Sequence, residues 1–67
     1  MMYSTTNQHG YERLSYSIEG ALCHAVLFMY IGEITRQYVI QTLKQGKKAT
    51  ITYGFKTVTI EPKEETA

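Results

Sequence analysis

The chain has no aspartate, one cysteine, one proline and no apolar run long enough to cross a bilayer. Each shortage removes a class of protein. With Cys23 alone, no disulfide can form within the chain. Zinc is usually held by about four Cys, His, Asp or Glu ligands. Here the soft ligands are Cys23, His9 and His24, with no CxxC or HxxxH spacing, so neither a metal nor a cofactor is expected. The longest apolar run, Ala21 to Ile31, is 11 residues with His24 inside it. A membrane helix needs about 20, so this run reads as a core element and no membrane contact is expected. Residues Met1 to Gly10 are polar and carry no basic stretch ahead of an apolar one, unlike a secretory signal. Together with the lone cysteine, this predicts a reducing, cytoplasmic setting.

Catalytic equipment is also missing. A nucleophile needs a base held beside it. Cys23 and His24 are adjacent, and on a strand adjacent side chains point to opposite faces. They read instead as a small core cysteine and an exposed or hydrogen-bonded histidine. Glu12 and Glu19 mark the ends of one segment, Glu33 precedes a helix, and Glu61, Glu64 and Glu65 crowd the tail. No acid–base pair assembles from that spacing. Gly32 and Gly46 punctuate a helix, and the GxGxxG and GxxxxGK phosphate loops are absent. The chain reads as a binding protein with no catalytic residues.

At 67 residues it makes one domain. A chain of this size buries only about 60% of its unfolded surface, and one such core supplies roughly 3–5 kcal/mol. With disulfide and metal excluded, a second copy is the remaining stabiliser, and a homo-oligomer is expected.

Hydrophobic patterning gives the elements. Residues 1–10 read as a loose arm and residues 61–67, opened by Pro62, as a charged tail. From Glu12 to Glu19, apolar Leu14, Tyr16 and Ile18 alternate with Arg13, Ser15, Ser17 and Glu19, the period of a half-buried strand. Glu19-Gly20 offers a tight turn into a second strand over Leu22 to Ile31. A buried helix over Ile18 to Tyr30 fits the periodicity almost as well, so strand or helix over residues 20–31 is open at this level. Thr35 to Gly46 is predicted as a helix, capped by Thr35 and ended by Gly46, with Val39, Ile40 and Leu43 as its apolar stripe. Ala49 to Ile60 is predicted as a hairpin about Gly54-Phe55, pairing Tyr53 with Lys56, Thr52 with Thr57, Ile51 with Val58 and Thr50 with Thr59. The expected fold is α+β in the order β-β-α-β-β, an antiparallel sheet with one helix on one face. That arrangement leaves Leu22, Val26, Phe28 and Tyr30 uncovered, an apolar patch for a second copy or a host protein.

Charge is unevenly placed. Arg36, Lys44, Lys47, Lys48 and Lys56 lie between Ile34 and Ile60 with no acid among them, while the whole chain carries only +1. Such a basic helix end and hairpin, with Tyr53 and Phe55 at the tip and threonine hydroxyls between, predicts a phosphate-bearing ligand, a nucleic acid or a nucleotide. The sequence pI of 7.9 is below the usual range of folded nucleic-acid binders. The alternative expectation is a small inhibitor or adaptor for a host protein, of the kind phage and mobile elements encode, docking by the apolar patch or a sheet edge.

The stretch SIEGA (Ser17 to Ala21), then YIG, TRQYV, LKQGK and a terminal hairpin, resembles winged helix-turn-helix DNA-binding domains of the excisionase type. That resemblance implies a helix over Ile18 to Tyr30, a recognition helix over Arg36 to Gln45 and a wing over Ala49 to Ile60.

Overall fold

The computed structural model describes residues 1–63. Along the chain run β1 (Met2–Asn7), β2 (Glu12–Ser15), α1 (Ile18–Phe28), α2 (Glu33–Lys44), β3 (Ala49–Tyr53) and β4 (Lys56–Lys63). The hairpins at either end of the chain join into one antiparallel sheet of order β2-β1-β4-β3. Strand period places Tyr3, Thr5, Ala49, Ile51, Val58 and Ile60 on one face. Both helices cover that face, through Ala21, Leu22, Ala25 and Met29 from the α1 segment and Val39 and Leu43 from α2. The other face is open and carries Ser4, Thr6, Thr50, Thr52, Thr57 and Thr59.

The fold is α+β with an antiparallel sheet, but it has two helices where one was expected. Residues 2–7 are not a loose arm. They form a central strand paired on both sides, with Thr5 fully buried. Its hydroxyl is accommodated by donating to the Ala21 carbonyl of α1 at 3.4 Å. Polar composition concealed the strand, because its partner β4 lies at the far end of the chain.

The second strand expected over Leu22 to Ile31 is the helix α1 and its exit. Ser17 is extended and caps the helix, its Oγ accepting from the Gly20 N–H at 3.0 Å. The expected Glu19-Gly20 turn is therefore the helix's first turn, where Glu19 also suits the dipole. Gly20 sits close to β2, where an added Cβ would lie 3.0 Å from Ser15 Cβ. Ala21, Leu22, Ala25 and Met29 give the buried stripe at i, i+1, i+4 and i+8. Exposed Val26 and Leu27 blur that stripe in the sequence.

Helix α2 begins two residues before Thr35, with Gly32 at its N-cap and no side-chain cap. Its C-terminus matches expectation. The Gly46 N–H donates to the Leu43 carbonyl at 3.0 Å and the Lys47 N–H to the Thr42 carbonyl at 3.2 Å. This is a Schellman closure, which Gly46 permits by taking φ of 77°.

The β3–β4 hairpin has the expected register, from Tyr53↔Lys56 to Ala49↔Ile60. Gly54 has positive φ and Phe55 does not, as a II′ loop requires. β4 continues past the expected boundary to Lys63. Since β3 reaches only to the level of Ile60, Pro62 pairs with β1 alone, where a missing N–H is tolerated. The rest of the expected tail lies outside the described residues. The helix that the winged-helix resemblance requires is present as α1, but β3–β4 forms half of a shared sheet and not a separate wing.

Candidate functional site

The β3–β4 hairpin gathers most of the predicted phosphate-binding residues. Lys47 and Lys48 lead into β3, and Lys56 opens β4 at the other end of the hairpin. Lys48 and Lys56 are separated along the strand by about 16 Å, five residues at strand rise. Thr50 and Thr52, both exposed, lie between them on the open face beside half-buried Thr57 and Thr59, whereas strand parity turns Tyr53 and Lys56 to the helix-covered side with Ile51 and Val58. No acid occurs from Lys47 to Ile60. The tip is aromatic: Tyr53 is 72% exposed and Phe55 99% exposed.

Lys44 stands at the C-terminus of α2, one Schellman turn from Lys47, so Lys44, Lys47 and Lys48 share one end of the molecule. Lys56 is at the opposite end, and the five expected cations do not form a single cluster. Arg36 lies apart from them, its guanidinium 3.7 Å from Glu19 of α1. Among the described residues, Lys44, Lys47, Lys48 and Lys56 form no ion pair.

The expected apolar interface divides in two. Leu22 is a core residue, 1% exposed, and Phe28 is partly buried against the same core. Both were assigned to a solvent face because a strand was assumed, and helical twist turns them inward. Val26 and Tyr30 are exposed as expected. They belong to a segment from Val26 to Ile34, the end of α1 and the start of α2, which also exposes Leu27 and Ile34.

Sequence reading missed the β1–β2 turn, which lies beside the hairpin tip. Asn7 pairs with Val58, so the turns at residues 8–11 and 54–55 occupy the same end of the sheet. Gln8 Oε1 accepts from the Thr57 N–H at 3.3 Å. The Asn7 carboxamide oxygen accepts from the His9 and Tyr11 N–H groups at 2.9 and 3.1 Å, and the Asn7 N–H donates to the Tyr11 carbonyl. Tyr11 is thereby held at the turn, with 68% of its surface exposed. The β-forming YSTT run ahead of Asn7 and Gly10 was the available signal.

On the open face, just after the β1–β2 turn, Glu12 accepts hydrogen bonds from Ser4 Oγ and, at 3.0 Å, from Lys63 Nζ at the far end of β4. The Ser4 hydrogen bond and then the Lys63 ammonium hold the Glu12 carboxyl below its ordinary value of 4.5. Lys63, expected in a loose tail, is fixed in β4.

Cys23 is exposed and His24 partly buried on α1, with no partner for the buried His24 Nδ1. Among the described residues, no three of His, Cys and Glu come within reach of one metal ion, and no helix is long and apolar enough to cross a membrane. Comparison with known protein families, characterised proteins and solved structures finds no match to this chain.

Proposed function

We propose that this chain is a non-enzymatic binding protein whose β3–β4 hairpin engages the phosphates of a nucleic acid. One observation carries the reading: a stretch from Lys47 to Ile60 that holds no acid, with lysines at both ends of the hairpin and threonine hydroxyls between them, Glu61 following only at the far end of β4. Lys47, Lys48 and Lys56 neutralise phosphate, and Lys44 extends the positive end. Thr50 and Thr52 donate to phosphate oxygens. The separation of about 16 Å between Lys48 and Lys56 calls for a run of several phosphates. A free nucleotide is too small to reach both ends. Arg36 has no part in this reading, since its charge is directed to Glu19.

The test is fluorescence anisotropy with labelled oligonucleotides over a salt series. Affinity falls steeply with salt, and the double substitution Lys47→Glu, Lys48→Glu abolishes binding. Absence of binding at low salt to every nucleic acid tried removes the reading.

A second reading, a protein-binding adaptor or a homo-oligomer, is favoured by the exposure of Leu27 (69%), Tyr30 (84%) and Ile34 (87%). These large apolar side chains stand in water at the end of α1, in the connection and at the start of α2, where an interface would cover them. Under this reading, light scattering detects assembly or a bound host protein, and Ile34→Asp abolishes it without unfolding the chain.

A further inference from the structure

We infer that the ligand is single-stranded, and that its bases stack on aromatic rings which the two hairpin turns bring to one end of the sheet. This inference rests on the proposed nucleic-acid reading and names the form of the ligand.

Phe55, Tyr53 and Tyr11 come from two hairpins that are distant in sequence. Strand register places both turns at one end, and the Gln8–Thr57 hydrogen bond ties them. None of the three rings is needed by the core. Phe55 keeps 99% of its surface in water, at a glycine-initiated two-residue loop fixed by the Tyr53↔Lys56 pair. Tyr11 is held by Asn7 through bonds to both its N–H and its carbonyl. The rings are therefore displayed on short, hydrogen-bonded turns, so little backbone freedom is lost on binding. Lys56 supplies positive charge beside them.

A positive track ending in exposed aromatics is the arrangement that takes single strands, because unpaired bases offer their faces for stacking. A duplex hides those faces. Its major groove, about 12 Å wide, admits an isolated two-stranded ribbon. Here β4 is flanked by β1, α2 covers the hairpin's other face, and the smallest extent of the molecule is 16 Å. The rim formed by the two turns can meet a flexible single strand, but the sheet as a whole does not enter the groove.

The chain contains no tryptophan, so Phe55→Trp places a single reporter at the tip. Its fluorescence is read on titration with a mixed-sequence single strand, the same sequence as a duplex, and inorganic polyphosphate. Tyr11→Ala and Phe55→Ala are measured alongside by anisotropy. Both positions are exposed, and circular dichroism verifies that each variant is folded. The single strand is expected to quench the tryptophan and to bind more tightly than the duplex. Polyphosphate is expected to bind without quenching. Each alanine variant weakens single-strand binding about five- to 150-fold, the range of a lost base–aromatic stack, and leaves polyphosphate binding unchanged. Equal or tighter duplex binding, or alanine variants that bind the single strand normally, overturns the inference. Provided Lys47→Glu, Lys48→Glu still abolishes binding, that result leaves the phosphate reading standing. No binding to any nucleic acid removes both.

Discussion

Glu12 and Lys63, 51 residues apart in the chain, meet at 3.0 Å on the open face of the sheet. The pair reaches from edge strand β2 across β1 to the end of β4, and Ser4 of β1 donates to the same carboxylate oxygen. The cluster fastens the two hairpins together, from Glu12 just after the β1–β2 turn to Lys63 at the far end of β4.

A pH dependence follows from this cluster. The folded-state pKa of Glu12 is depressed, so its contribution to stability is present above the unfolded value and is lost as pH falls through the folded one. Thermal melts of the wild type and Glu12→Gln should therefore differ above pH 4.5 and converge below it. A difference that persists unchanged in acid would mean that the glutamine alters something besides the charge.

Leu22 and Val26 lie one helical turn apart and should respond in opposite ways to truncation. Leu22 is fully buried, and Leu22→Ala should cost about 2–5 kcal/mol in denaturant unfolding. Val26 is 52% exposed, and Val26→Ala should stay within about 0.5 kcal/mol. Similar losses at both positions would contradict the helical assignment.

The start of α1 depends on one hydroxyl. Ser17→Ala removes the acceptor of the Gly20 N–H and should cost about 1 kcal/mol, whereas Ser17→Asp should retain most of the stability. Chemical denaturation of the three proteins side by side is sufficient to measure this.

Salt slopes separate lysines that contact phosphate from those that do not. In single-strand titrations, Lys48→Ala and Lys56→Ala should each lower the log–log slope by about 0.7. Arg36→Ala should leave the slope unaltered, because its guanidinium faces Glu19. An Arg36 effect as large as that of Lys48 would move the binding surface from the hairpin to α2.

Legibility followed the range of the interactions. The β3–β4 register was read correctly because it is encoded within a dozen residues, by a Gly54-Phe55 loop and matched apolar and threonine positions. Closure of α2 at Gly46 was local in the same sense. Leu14, Tyr16 and Ile18 misled, since their alternation runs unbroken across a boundary where Ser17 begins a helix. Tyr11 was missed because its significance depends on β1, and β1 is a strand by virtue of β4.

By itself the sequence determined the α+β class, the second hairpin, the end of α2 and the acid-free stretch of lysines and threonines, all of which act between near neighbours. The tertiary structure alone decided that the first residues form a central strand and that Leu22 faces inward. It also decided that Arg36 is drawn to Glu19 and that three exposed aromatic rings stand at one end of the sheet. Those outcomes depend on pairing between the two ends of the chain, and backbone hydrogen bonds between distant strands leave little trace in side-chain composition.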